Sequence, residues 1–348
     1  MVEAWFAIIT TMLTLYVVLD GFDLGAGLLH LIVARRDAER RQVLAAIGPY
    51  WDGNEVWLIA SAGSLMVAFP RVMAVGLSGF YFAIFLVLWC LTLRGVSIEF
   101  RGHVSNPLWR RFWDAVWWLA SGLLALFFGV ALGNLIRGLP LDPNGWFGLE
   151  LFTDWSARSP VGILDWYTVL IGAFAVCTLA LHGAHYLWWR TSGEVSERSR
   201  AIARRLALAV LVAWPLVTWA TVVVNPSWFA GFVHRPLAWL GCAAALAGTG
   251  AVVLGLARQR SLVAFAGSSA VIAGLLSATA ACMFPVMLKA VPDGSRSLTA
   301  YAASNDTAGL RAALGWWWIG FPLALAYLIV LFKLHRRKIV PMEDGEGY

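Results

Sequence analysis

The sequence predicts an all-α polytopic membrane protein. It expects nine transmembrane helices, arranged as two pseudo-repeated four-helix units plus one peripheral helix, with the N-terminus outside and the C-terminus cytoplasmic. Three observations predict this. Apolar residues make up 60% of the 348-residue chain and charged residues only 13%, with a mean hydropathy of +0.72, whereas soluble domains carry about 25% charge. Apolar runs of about 20 residues, the length that crosses a bilayer as helix, recur nine times. Lysines and arginines alternate between the ends of those runs.

The spans fall at 4–33, 54–74, 76–97, 115–136, 161–189, 205–225, 237–257, 261–288 and 312–334. They form a single integral-membrane domain over 1–348, with helices 1–4 in 1–136, helices 5–8 in 161–288 and helix 9 in 312–334. The first span begins at once, with no basic stretch before it and no small-residue cleavage site, so no removable signal peptide is expected. Phe69-Pro70 and Phe284-Pro285 stand near outer span ends, and Trp214-Pro215 lies inside a span. Each marks a kink or stop. The segment 137–160 carries Pro140, Pro143, Gly145 and Gly148 and predicts an irregular capping loop. "ASND" (303–306) reads as the start of the ninth helix. Many of the 20 tryptophans sit at span ends, as interfacial belts do.

Orientation follows from the basic loops. Of the 26 lysines and arginines, one side holds all except Arg71, Arg137, Arg158, Arg235, Lys289, Arg296 and Arg311. The richer side is cytoplasmic by this rule, and the +6 net charge is a topology signal that gives no support to nucleic-acid binding. Cys90, Cys177, Cys242 and Cys282 all fall within spans without paired spacing, which predicts small buried apolar residues and no metal site.

Four carboxylates stand where the helices should be apolar. Asp20 and Asp23 lie in "VVLDGFDLGAGLL", Asp52 and Glu55 in "PYWDGNEVWLIA". A charge at bilayer depth costs a few kcal/mol, about 2.5–3.5 on insertion scales, and each pair is spaced to share one helix face. Asp20 and Asp23 either begin a cytoplasmic proton path or pair with an arginine or cap a broken helix. Gly21, Gly25 and Gly27 beside them would admit a second helix closely. For Asp52 and Glu55 the spacing favours a helix start, with Asp52 as cap and Glu55 three residues on. "RGVSIEFR" supplies Arg94, Glu99 and Arg101 for a surface ion network. "LDGFD" (19–23) and "LHGAH" (181–185) align Asp20 with His182 and Asp23 with His185, which suggests a duplication that lays spans one to four over five to eight. His30, His182 and His185 are too few and too clustered for a transmembrane haem set, and a hydrogen-bonded contact is the simpler role. On these residues alone a proton-coupled secondary transporter using Asp20 and Asp23 is an alternative.

Several stretches together resemble subunit II of the cytochrome bd-type quinol oxidases, including the cyanide-insensitive branch. They are "LDGFDLGAGLL", "IGPYWDGNEVWLI", "AFPRVMAVGLSGFYFAIFLVL", "RGVSIEFR", "GVALGNLIRGLP", "HGAHYLWWRTSGEV", "MFPVML" and "SLTAYAASND". The resemblance implies a nine-helix subunit of the prokaryotic inner membrane, paired as a heterodimer with subunit I, and in some members with small single-helix accessory subunits. It implies quinol oxidation and dioxygen reduction to water, with haems b and d, or b only, in subunit I. Asp52 then resembles a proton-channel acid at the subunit boundary, Asp20 and Asp23 resemble further groups on proton routes, and Trp51 resembles a position that contacts a bound quinone. Where some relatives carry tryptophan and aspartate after "SLT", this chain has Tyr301 and Ala302.

Overall fold

The structure is a computed structural model that describes residues 1–156 and 161–341. Arg158, assigned above to the outer side, lies outside the described residues. In chain order the elements are α1 (Val2–Val33), α2 (Asp37–Ile47), α3 (Trp51–Ala68), α4 (Pro70–Gly79), α5 (Tyr81–Phe100), α6 (Pro107–Arg137) and α7 (Trp166–Arg190). There follow α8 (Gly193–Val224), α9 (Pro226–Phe232), α10 (Pro236–Ala257), α11 (Ser261–Met283), β1 (Val286–Leu288), β2 (Leu298–Thr299), α12 (Ala300–Ala303) and α13 (Thr307–Leu334). Among the described residues eight helices are long and apolar enough to cross a bilayer, and α3 with α4 makes a ninth, broken span bent by 119°.

Several expected boundaries are corrected, each for a local reason. The spans 54–74 and 76–97 become α3 and α5, with residues 70–79 turned aside as α4. Pro70 has no N–H to give the preceding turn, and it drives Phe69 out of the helical region to φ −135° and ψ 62°. The fifth span starts at Trp166 rather than 161, because the Asp165 carboxylate accepts from the Tyr167 and Thr168 N–H groups at 3.0 and 2.8 Å. The sixth extends back to Gly193 through a polar run, and the eighth ends at Met283, after which β1 pairs antiparallel with β2. The ninth starts as expected: Asp306 caps α13 by accepting from the Gly309 N–H at 2.9 Å.

α1 is the central element and packs against α3, α6, α7 and α11. The packing is reciprocal. α6, the last long helix of the first four, rests on α7, the first of the second four; α11 in turn rests on α1. α13 lies at the periphery, chiefly on α3, and leaves Trp316, Trp318, Leu323 and Leu334 exposed. At the α1–α7 crossing a Cβ on Gly25 would lie 2.7 Å from the Gly183 Cα, and one on Gly183 would lie 2.3 Å from the Gly25 carbonyl carbon. Only glycine permits that approach, the small-residue contact of membrane helices.

The loops predicted to share a side do meet at one end. There Arg198 donates to the Val33 carbonyl and to Glu39, both at 2.9 Å, and Arg40 to Asp114 at 2.8 Å. The segment after α13 forms a strap across this end. Gln42 donates to the Ile339 carbonyl at 2.7 Å and the Ser192 carbonyl at 3.1 Å, while the Ile339 N–H reaches the Arg190 carbonyl at 2.8 Å. Arg190 and the Tyr50 hydroxyl both donate to the His335 carbonyl. At the opposite end Trp5 donates to the Leu310 carbonyl at 3.1 Å and Asn225 to the Ile136 carbonyl at 2.8 Å. Tyr301, the departure noted above, donates to Glu3 at 2.7 Å.

Candidate functional site

The acids converge with one cation between α1, α3 and α5. α1 presents Asp20 and Asp23 one helix turn apart, and the glycines on its other side let α7 close behind them without displacing either carboxylate. Arg94 of α5 reaches across and grips Asp20 bidentately, Nη1 to Oδ2 at 2.8 Å and Nη2 to Oδ1 at 2.6 Å. Nη2 also donates to Glu55 Oε1 at 2.6 Å. Arg94 and Asp20 are both 0% exposed. Planar, bidentate pairing is the geometry arginine supplies and lysine does not. Asp23, also buried, accepts from Asn54 Nδ2 at 2.7 Å; its other oxygen has no hydrogen-bond partner in the structure.

Two carboxyl groups, Asp20 and Glu55, thus grip one guanidinium, with a third, Asp23, one helix turn away. Asp20 holds the cation from two sides, Glu55 holds it from a third, and Asp23 meets a neutral amide. Burying the ion pair is costly in itself, since desolvation offsets much of the attraction. The cluster holds more acid than base.

The remaining predicted residues fall around this cluster. Asp52 is exposed in the first turn of α3, where the helix dipole favours an anion. The cap position belongs to Tyr50, so the expected capping pair of Asp52 and Glu55 is corrected: Glu55 is an ion-pair partner of Arg94. Trp51 lies over α5, its ring edge 3.3 Å from the place a Cβ on Gly95 would occupy. The "RGVSIEFR" segment is no surface network. Arg94 is the hub of the site, and Arg101, 2% exposed, donates to Asp114 at 2.6 Å and Asp37 at 2.7 Å.

A second ion cluster, outside the membrane spans, fixes α2 over the ends of α1, α5 and α6. Burial pushes the Asp37 carboxyl up, yet the Arg101, Arg110 and Arg41 guanidinium groups outweigh it and hold the group below the usual carboxylate range. Burial likewise opposes ionisation of Glu39. Hydrogen bonds from Arg198, the Arg35 and Arg36 N–H groups and the Arg36 guanidinium win, and hold it at about 2.

Two of the three span histidines make hydrogen bonds. His182 has both ring nitrogens in hydrogen-bond contact, with Ser268 Oγ at 2.8 Å and the Val18 carbonyl at 2.9 Å, and its ring stacks on Phe265. His30 Nδ1 meets the Gly27 carbonyl at 2.7 Å, while Nε2 stands 3.7 Å from Asp114. His185 is fully buried on α7 with neither ring nitrogen paired. Both ring nitrogens of His182 and one of His30 are thus occupied.

Sequence reading missed Arg94 as the hub. The available signal was an arginine inside a predicted span, at a depth where an unpaired guanidinium would not be tolerated.

A family profile described as "Cytochrome bd terminal oxidase subunit II" matches residues 1–335. The chain is 31% identical to the "Probable cytochrome oxidase subunit 2" of Haemophilus influenzae, over 93% of this chain and 91% of that protein. It is 30% identical to the "Cytochrome bd-I ubiquinol oxidase subunit 2" of Escherichia coli K12, over 87% and 85%. In fold it is similar to a chain of the bd oxidase from Geobacillus thermodenitrificans, with a TM-score of 0.76 over 96% of this chain and 98% of that one, at 17% identity. A match along nearly the whole length, joined to a helical membrane fold shared with a solved oxidase, places the chain in the cytochrome bd terminal oxidase subunit II family.

Proposed function

We infer that the chain works as a multi-pass subunit of a bacterial inner-membrane bd-type oxidase, an oxidoreductase complex that contains haem and a partner subunit I. We propose that its own contribution is a proton-uptake route from the cytoplasm toward haems b and d, or b only, held by subunit I, where quinol is oxidised and dioxygen reduced to water. One observation carries the reading: a buried guanidinium gripped by two carboxyls, Asp20 and Glu55, with a third buried acid, Asp23, one turn along α1 on Asn54. Asp52, exposed on a membrane helix between apolar neighbours, is the entry at the boundary with subunit I. Glu55, three residues on and on the same face, leads to Arg94 and Asp20, and Asp23 with Asn54 lies one turn further along α1. The engaged nitrogens of His182 support placing the haems in the partner.

The rest of the proposal follows the same resemblance. Trp51, half-buried over the bare backbone of Gly95, contacts a bound quinone. The reciprocal packing of α6 on α7 and α11 on α1 supports two duplicated units, 1–136 and 161–288, plus a ninth helix at 312–334, and the charge bias supports an outside N-terminus. Small accessory helices and lipid cover exposed faces such as that of α13. The carrier alternative is displaced: Asp20, one of its two acids, is locked bidentately to Arg94.

The test is Asp52→Asn in the whole oxidase, with quinol-dependent oxygen uptake and haem absorption recorded together. Turnover should fall by more than about tenfold, as for loss of a positioned proton-transfer group, with the haem spectrum kept. Unaltered turnover would remove Asp52 from the route.

A further inference from the structure

Between α1 and the last turns of α13 lies an open crevice of about 480 Å³, within the roughly 300–1,000 Å³ span of ligand clefts. Leu19, Leu328, Ile329 and Phe332 wall it, and Lys333 and Arg336 stand at its mouth. Among the described residues no carboxylate lines it. Both cations are exposed, and Arg337 and Lys338 continue the charge along the chain. The crevice opens at the end of the bundle where the arginine-rich loops meet, which is where lipid head groups lie.

We propose that this crevice binds one anionic phospholipid, its phosphodiester on Lys333 and Arg336 and an acyl chain along Leu19, Ile329 and Phe332. Charge decides the occupant. A neutral head group, or the neutral ring of a quinone, would leave two cations without a counter-charge at the edge of the hydrocarbon, where an unpaired charge is expensive. A phosphodiester supplies the anion and the acyl chain fills the apolar floor, so both halves of the crevice are matched by one molecule. The proposal is independent of the proton route, since it involves neither Asp52 nor the Arg94 cluster.

The test uses the purified oxidase complex, stripped of lipid in a neutral detergent and examined by native mass spectrometry with added phosphatidylglycerol or phosphatidylcholine of the same chains. Haem absorption checks that each variant is folded. Phosphatidylglycerol should be retained in one copy, and the Lys333→Gln/Arg336→Gln variant should weaken that retention roughly 30-fold, the effect of removing two basic side chains from an anionic surface. Ile329→Trp, which fills the floor and keeps both charges, should weaken it as well. Millimolar inorganic phosphate should not displace the lipid. Equal retention of the two lipids, undiminished retention in the double variant, or displacement by phosphate would each overturn the proposal. So would photo-crosslinking from position 329 to a co-purifying small helix instead of lipid.

Discussion

Replacement of Arg94 by glutamine removes the cation that Asp20 and Glu55 share. The guanidinium is fully buried and donates three hydrogen bonds of 2.6–2.8 Å, two to Asp20 and one to Glu55. A hydrogen bond to a charged group contributes about 1.5–3 kcal/mol net. Loss of one member of a buried pair costs about 3–5 kcal/mol, because the surviving charge is left without compensation. Arg94→Gln should therefore destabilise the subunit by about 3–5 kcal/mol, read as a lowered thermal midpoint of the purified complex by tryptophan fluorescence and haem absorption. Arg94→Gln/Asp20→Asn deletes opposite charges together and should recover about 1–3 kcal/mol of the loss expected from the two single changes. A wild-type midpoint for Arg94→Gln, or strict additivity in the double variant, would refute the account of the cluster.

Other expectations concern the supports around it. The folded Glu39 carboxyl lies at about 2 against an ordinary 4.5, so its stabilisation is complete above about pH 4.5 and is lost as pH falls through 2. That is at most about 3 kcal/mol. Glu39→Gln should flatten this acid dependence, followed by hydrogen exchange across α2; an unchanged profile would exclude Glu39 as its source. Gly183→Val places a methyl-bearing carbon 2.3 Å from the Gly25 backbone, an overpacking of at least about 1–3 kcal/mol, and should abolish co-purification with the partner subunit. Normal yield would mean that the α1–α7 crossing is looser than described. His182→Gln should leave the haem absorption of the complex unchanged, and loss of a haem band would contradict the hydrogen-bonding role.

Helix count and the grouping of loops by side were legible because bilayer length and basic-residue bias act along the chain. What joins distant segments was not. Asp20 and Arg94 are 74 residues apart, and no hydropathy window contains both, so Arg94 read as part of a polar loop although α5 continues past it to Phe100. Glu55 looked like a capping residue because its spacing from Asp52 fits one. Its true partner is set by how α3 and α5 flank α1. Pro70 announced a break, but nothing local encodes a 119° turn. The family resemblance identified Asp52, Asp20 and Asp23 as a group without indicating that an arginine ties two of the acids together.

The strap after α13 bears on how the chain is made. Gln42 lies near the start of the sequence, and the carbonyl of Ile339 that it needs lies 297 residues later. Arg190 and Tyr50 likewise wait for the carbonyl of His335. Until the segment after α13 docks, Gln42, Arg190 and Tyr50 lack these acceptors at the arginine-rich end of the bundle. The strap therefore ties segments that leave the ribosome early to one that leaves it late.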